Sequence, residues 1–458
     1  MNKLITIYLI SISLITISQD IDNYDLIENN YKKCNTTYLV NKEISEDPEY
    51  ALNREKIIEQ DKEWLSQNNM VEKSTITIPI VIHVIHRNTH QNIGTGTNIS
   101  NEKIEDAIRI LNEDYSKTNS EFPNPPRNTF VNSAGNANLE FCLATIDENG
   151  NPTSGVTRTM TTKTNFDPDT ESNDMKSTST GGNDGWDPSR YLNIWICDLA
   201  VSASGGMTLG YAYLPGLPSW QAWKDGLVVD YQFFGTIQGS VGDGRTATHE
   251  IGHYLGLNHT FAEASGWFGS CVDAQGNLQC CDNDDSNVDD TPATDGIFWG
   301  TVTSFTNNNS CNDLQYGFSS DLLDMDENFM SYAQNTWMFT NSQVSAMNAT
   351  LNGYRLSLKN SNVSMNCTGT IGTGINDRIE RNLIHIYPNP STGKIIIDNS
   401  TNYRIENIVV RNILSEIVMT NNNQQINSID LSNLDDGAYF IELYTSKGIV
   451  NKKIILSK

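Results

Sequence analysis

The sequence predicts an α+β chain: a mixed strand-and-helix domain over residues 74–367, followed by a small C-terminal β-sandwich at 385–458. Three observations carry this. A β-branched run, Thr75 to His86, opens a series of strand candidates interleaved with an amphipathic helix. Short strand-like runs alternate with Asn- and Gly-containing turns throughout 385–458. Between the two, residues 368–384 form a Gly/Thr-rich and then charged linker.

In chain order, residues 1–19 read as a signal peptide. Lys3 supplies the positive start, and Leu4 to Ile17 an apolar stretch broken only by Ser and Thr. A membrane anchor is the alternative reading. The stretch is short for a span, and no other segment approaches the ~20 apolar residues that spanning requires, so no transmembrane span is expected in the mature protein. Residues 20–73 are charged and helical in flavour, most clearly at Pro48 to Glu59. The composition changes at Ser74. After the strand at 75–86, a helix begins near Ser100, with Ile104, Ala107, Ile108 and Leu111 on one face. Further strand candidates are 139–146, 191–197, 210–214 and 226–234. In the C-terminal region they are 385–387, 394–398, 408–410, 416–419, 438–444 and 452–456.

A length of 458 residues suggests about three units. With 38% hydrophobic and 9% aromatic residues, the chain can build packed cores. The formal net charge of −25 argues against nucleic acid or an anionic membrane surface as main partner and suits an extracellular, cation-binding protein. Export would place the eight cysteines where disulfides persist.

Three of the seven histidines fall in His249-Glu-Ile-Gly-His253-Tyr-Leu-Gly256-Leu-Asn-His259. On a helix, His249 and His253 lie one turn apart and can reach one ion. Gly256 is suited to end that helix with positive φ and bring His259 back as third ligand. Three protein ligands leave a fourth position open, as a catalytic zinc site requires. Glu250, beside a ligand, is placed to act as general base toward a water attacking a scissile carbonyl. His83 and His86, on the first strand, are expected to be strand packing or a polar edge, and so is nearby His90.

This motif resembles that of the metzincin metallopeptidases. The resemblance implies a second signature, a turn with a methionine beneath the zinc, and Asp326-Glu-Asn-Phe-Met330-Ser-Tyr332 fits it. Met330 would be the apolar floor, and Tyr332 would assist near the metal. More narrowly, Arg245 to Phe261, Asp289-Asp-Thr-Pro292, Asn328 to Tyr332 and Tyr191 to Cys197 resemble the pappalysin (cytophagalysin-like) family. The implied fold has a mixed, mostly parallel twisted sheet with an active-site helix and Met-turn. The implied activity is secreted, zinc-dependent endopeptidase action on proteins or peptides. A surface adhesion or binding protein with an idle zinc site is the alternative, although such a protein has no need of Glu250.

The acidic stretch Cys281 to Pro292 is dense in oxygen ligands. Pappalysins bind calcium in the similar stretch, which implies a structural calcium site with contacts at Asp285, Val288 and Thr291. Cys271, Cys280, Cys281 and Cys311 surround this loop and allow three pairings. Cys142 and Cys197 lie in two strand candidates and could pair, leaving Cys367 over. Cys34, in Lys32-Lys-Cys34-Asn-Thr-Thr, resembles the cysteine of pappalysin pro-segments. Its thiolate would fill the fourth zinc position and keep a 20–73 pro-segment inhibitory. A disulfide to Cys367 is the alternative, and the expected processing cut lies near Lys73-Ser74.

Gly210, Tyr211 and Ala212 are placed like the metzincin edge strand that pairs with an extended substrate. After the Met-turn, family members with an acidic pocket base carry Asp five residues on and Cys seven on. Here Asn335 and Trp337 stand instead, so Asn335 is a pocket candidate and an Arg/Lys preference does not carry over. Finally, Ile386 to Lys394, Ile429 to Phe440 and Lys453 to Leu456 resemble the type IX secretion sorting domain of Bacteroidetes. That implies engagement of the type IX machinery from the periplasm, then release or surface attachment. A carbohydrate-binding sandwich is the alternative, without an evident aromatic platform.

Overall fold

A computed structural model describes residues 31–68, 74–201, 206–261, 281, 287–364, 384–399, 405–412, 417–421, 427–445 and 448–458. The expected signal peptide and most of the linker lie outside the described residues, as do Asp285, Cys271, Cys280, Cys367 and Lys73.

The elements begin with β1 (Tyr31–Cys34), α1 (Thr36–Glu46) and α2 (Pro48–Gln67). Proline at its start and an Asp47 side chain accepting from Glu49 N define where α2 begins. Then come β2 (Ile76–Arg87), α3 (Asn101–Tyr115), β3 (Leu139–Leu143), β4 (Val156–Thr161), β5 (Leu192–Cys197), β6 (Met207–Ala212) and β7 (Leu227–Asp230). Helices α4 (Thr246–Tyr254), α5 (Asn341–Asn352) and α6 (Leu356–Lys359) complete this part.

These strands form one sheet in the order β1-β6-β7-β5-β2-β3, with β4 also on β2. Every pairing is parallel except β6 with β7. Twelve-residue β2 serves two neighbours on one side: its first half pairs with β3 and its second half with β4. Both faces of β2 are covered, which is why it reads as an unbroken apolar run. On one face Ile78, Ile80, Ile82 and Val84 pack with α3 residues Ile104, Ala107, Ile108, Leu111 and Tyr115, with α4 and with α5. Ser100 caps α3, accepting from Lys103 N at 3.1 Å. On the other face Ile85, Trp195, Tyr211, Tyr213 and Val228 meet Leu39 of α1 and Tyr50 of α2. His83 belongs to this packing: it stacks on Trp195 and bonds Thr157 and Asn193. Burial lowers its pKa to about 4, so it is neutral.

The C-terminal part contains β8 (Ile384–Tyr387), β9 (Lys394–Asn399), β10 (Ile405–Arg411), β11 (Ile417–Asn421), β12 (Ser428–Asp430), β13 (Gly437–Thr445) and β14 (Gly448–Leu456). They form two antiparallel sheets, β11-β10-β13-β14 and β12-β9-β8. Ile384, Ile395, Ile397 and Ile429 from the smaller sheet share one core with Ile408, Val410, Ile441, Leu443 and Ile454 from the larger. That is a β-sandwich.

One cysteine expectation needs revision. Cys197 carries a free, buried thiol, so it does not pair with Cys142, which is disulfide-bonded. Cys34 is also free. Among the loop cysteines, Cys281 bonds Cys311, closing a 30-residue separation.

Candidate active site

Helix α4 is buried at all nine positions. Its start is fixed by Arg245, which donates to Asp114 (3.2 Å), Glu121 (2.8 and 2.9 Å) and the Thr336 carbonyl (2.7 Å). These carboxylates keep Arg245 protonated. Further along, the Tyr115 hydroxyl donates to Thr248 O, and Thr248 Oγ1 to Asp114. The helix stops as the sequence predicts: Gly256 has φ +100°, and Leu257 N donates back to Gly252 O.

This turn brings the three histidines together. The Nε2 atoms of His249, His253 and His259 are mutually 3.1 Å apart. Nδ1 of His249 faces Phe329 O at 2.7 Å, and Nδ1 of His253 faces Leu257 O at 2.7 Å. Those carbonyls can only accept, so both rings carry their proton on Nδ1 and turn a lone pair inward on Nε2. Burial, with His259 alongside, lowers the His253 pKa and keeps that ring neutral. Buried lone pairs converging at 3.1 Å repel unless a cation lies among them, so this donor set fits a metal. Cys34 Sγ joins the cluster: the four ligand atoms lie within 4.8 Å of one another.

The turn beneath is held from below. Met330 N donates to Asn328 Oδ1, and the Asn328 amide exchanges two hydrogen bonds with Gln343. Gln343 is itself half of the capping box that opens α5 with Thr340. Met330 is fully buried against the backbone at Gly252, where an added Cβ would lie 2.4 Å from its sulfur. Tyr332 packs against His249 and His259, and its hydroxyl donates to Cys34 O at 3.5 Å. Phe261 stacks on His259 with rings 10° from parallel.

An ion pair ties this turn to the rest of the domain. Arg127 is bound to Glu327, both nearly inaccessible, and donates to the carbonyls of Asp324 and Thr306. Arg127→Ala would strand the Glu327 carboxylate, and a loss of about 3–5 kcal/mol is expected in denaturant melts.

The edge strand is covered by the segment that carries Cys34. β1 runs parallel along β6, pairing Tyr31, Lys32 and Cys34 with Met207, Thr208 and Gly210. Asn35 N donates to Gly210 O at 3.1 Å. Gly210 allows close approach of strand and helix, since a Cβ there would meet Thr246 and Glu250 at about 3 Å. The Tyr211 side chain points away and donates to Ser172 O. Ala212 N donates to Thr36 Oγ1 at 2.9 Å, and Thr36 Oγ1 donates to Glu250 Oε2 at 3.2 Å. Cys34 Sγ lies 3.4 Å from the same oxygen, and burial with that carboxylate pushes the thiol pKa up; a bound cation would act in the opposite sense.

Thr36 was not singled out in the sequence. It opens α1 directly after Asn35, whose φ of −102° and ψ of 4° leave the extended region, and that turn carries it toward Glu250. Asn335 is not presented as a free polar group. Its Oδ1 accepts from Val302 N (2.7 Å) and its Nδ2 donates to Val302 O (2.9 Å), so it fastens a neighbouring loop. Trp337 is fully buried against Phe122 and is core. Of the calcium candidates, Val288 and Thr291 are buried, while Asp289 and Asp290 accept from Ser342 near the start of α5.

A two-histidine helix turn, a glycine-directed third histidine and a methionine turn beneath them define a metzincin-type metallopeptidase. Residues 174–352 match the peptidase family model described as pregnancy-associated plasma protein-A, and residues 385–457 match a secretion system C-terminal sorting domain. A promirolysin variant from Tannerella forsythia superposes with TM-score 0.57 at 32% identity, over 72% of this chain and 97% of that one. Mature mirolysin with a cleaved peptide, from the same organism, gives TM-score 0.51 at 35% identity, over 63% and 97%. An extracellular metalloprotease of Arthroderma gypseum is 25% identical over 58% of this chain and 74% of its own length. The match to one from Pyricularia oryzae is 26% identical and covers 48% of this chain but only 58% of that protein. The chain belongs to the pappalysin family of secreted metalloendopeptidases and carries a type IX sorting domain at its C-terminus. It is secreted or displayed at the cell surface. Among the described residues no helix is long and apolar enough to cross a membrane.

Proposed function

We propose that the chain is a latent zinc endopeptidase, with His249, His253 and His259 as ligands, Glu250 as general base and Cys34 as the plug. The observation that carries this reading is the convergence of three Nε2 atoms and the Cys34 sulfur beside Glu250. Neutral imidazoles and a thiol suit zinc, which when bound supplies Lewis acidity and makes water acidic near neutral pH.

The chain's own residues do the rest. Gly210 O and Ala212 N align an extended peptide as a further strand. Glu250 Oε2 takes the proton of the attacking water and delivers it to the leaving amine. The Tyr332 hydroxyl donates toward the developing oxyanion. Met330 holds the floor beneath the histidines. In the latent chain Cys34 blocks the ion, Thr36 occupies both Glu250 and Ala212 N, and β1 fills the substrate edge. Removal of 20–73, with a cut near Lys73-Ser74, uncovers all three. The sorting domain directs the protein through the type IX machinery.

The test is digestion of a casein-like protein by zinc-loaded, pro-segment-free protein. Cleavage abolished by chelator and restored by zinc is expected; a loaded, processed protein that cleaves nothing overturns the reading.

Asn335→Asp gives a second expectation. It keeps the acceptor for Val302 N but sets a carboxylate against Val302 O. A stability loss of about 1–3 kcal/mol, with no gain in cleavage before Arg or Lys, is expected from melts and peptide profiling. Calcium is proposed for the 281–292 loop through Asp285 and the Val288 and Thr291 backbones. Calcium at 100-fold its Kd is then expected to stabilise the protein by ~2.7 kcal/mol, read as a higher Tm than with magnesium.

A further inference from the structure

A series of aromatic rings leads away from the metal cluster. Phe261 stacks on His259 at a centroid distance of 4.8 Å, and Tyr332 meets Phe261 at 4.9 Å and His259 at 5.0 Å. Trp299 continues the series, 5.2 Å from Tyr332 and tilted by 47°. Cys34, Phe261 and Tyr332 form a small cluster of nearly inaccessible side chains, and Trp299 packs against it while remaining partly exposed. Trp299 is thus two ring contacts from the proposed metal ligand His259. Of these four clustered side chains it is the most exposed.

Residues 297–302 lie outside every helix and strand, yet hydrogen bonds fasten them to the chain just after the Met-turn. Gln334 N donates to Gly300 O at 3.0 Å, and Thr301 Oγ1 donates to Gln334 Oε1 at 2.8 Å. The Asn335 side chain accepts from Val302 N at 2.7 Å and donates to Val302 O at 2.9 Å. Val302 itself is buried. Phe298 lies over Gly300, where an added Cβ would stand 2.5 Å from its ring. The Trp299 segment is therefore tied to the same turn that carries Tyr332. A ligand need not order this loop to meet the ring, which favours selective contact.

We infer that Trp299, with Phe261 and Tyr332 behind it, forms a specificity subsite for an aromatic or large aliphatic side chain next to the scissile bond. The three rings offer apolar area close to the metal cluster, and none of them carries a charge. Cys34 lies against this group in the latent chain, and its withdrawal leaves ring surface for a substrate side chain to cover. Covering that surface with an apolar side chain is favourable in proportion to the area removed from water. A carboxylate placed there would lose hydration and gain no partner from the rings. The inference rests on the peptidase reading above and assigns selectivity to a residue outside both zinc-site signatures. Asn335 then acts indirectly, as the side chain that pins the Trp299 loop.

The test compares matured wild type, Trp299→Ala and Trp299→Glu on a proteome-derived peptide mixture, with cleavage sites read by mass spectrometry. Wild type is expected to enrich Phe, Tyr, Trp, Leu and Met at one fixed position flanking the bond, on the order of tenfold over Gly, Asp and Glu. Trp299→Ala still cleaves but loses that enrichment, and Trp299→Glu shifts the same position toward Lys and Arg. A merely structural Trp299 would lower turnover of all peptides alike and leave the profile unchanged, and that result overturns the inference. So does a wild-type profile that is flat, or that favours charged side chains, at both flanking positions. A readout independent of turnover is the binding of two peptide hydroxamates, with Phe or Ala beside the hydroxamate, to the zinc-loaded matured protein. Phe is expected to bind about tenfold tighter than Ala in wild type and no tighter in Trp299→Ala; the same ratio in both proteins overturns the inference. A wild type that cleaves nothing overturns the peptidase reading instead, and the binding ratio still decides this one.

Discussion

Glu250→Gln is expected to lower turnover by the matured protein by about 10²–10⁴-fold, with metal content and melting temperature close to wild type. The substitution keeps shape and volume, so the buried helix is undisturbed. The three histidines are untouched, and the carbonyls of Phe329 and Leu257 still orient the rings of His249 and His253. What disappears is a group able to take a proton. Glu250 is the carboxylate beside the trio, and its Oε2 is the atom that Thr36 and Cys34 approach in the latent chain. The check is kcat/KM on a quenched peptide, with metal analysis of the same sample. A variant within tenfold of wild type would remove Glu250 from the base role, and a metal-free variant would make it structural.

Cys34→Ala should convert the latent chain into one that processes itself. The thiol closes the last side of the metal cluster, and Cβ alone cannot reach it. Other contacts of the proposed pro-segment persist: Glu43 pairs with Lys224, Asp47 bonds Gln221, Arg54 donates to Pro215 O, and Asp61 accepts from Thr350. Docking therefore survives while the chemistry is released. Appearance of the mature form is expected to accelerate by about tenfold or more, equivalent to ~1.4 kcal/mol. Placed in the Glu250→Gln background, the same change should leave the chain uncut, which separates self-processing from exposure to other proteases. A Cys34→Ala chain as stable in its latent form as wild type refutes the plug.

The residues proposed to do chemistry were the most legible in the sequence. His249, His253 and His259 are spaced by helix geometry and one glycine, so local rules suffice to bring them together. The apolar run of β2 and the face of α3 were equally plain, because burial on a regular element leaves a period. Strand β4, Val156–Thr161, was missed because its alternation of polar residues carries little apolar signal. The segment of helix α1 read only as helical in flavour, without bounds, because its propensities are ordinary and docking on β6 supplies its stability. The free thiol at Cys197 shows the limit of pairing cysteines by strand assignment: its strand pairs with β2 and β7, while β3, with Cys142, lies on the far side of β2. Thr36 and the Arg127–Glu327 pair depend on contacts between residues about 200 apart, which no local pattern records.

The central claim is that Cys34 and the three histidines share one metal in the latent chain and that only the histidines keep it after maturation. X-ray absorption at the zinc edge tests this directly on the zinc-loaded protein before and after removal of residues 20–73. The expected result is one sulfur and three imidazole nitrogens in the first spectrum, and loss of the sulfur with retention of the nitrogens in the second. A latent protein without sulfur at the metal, or a matured one that retains it, would contradict the account.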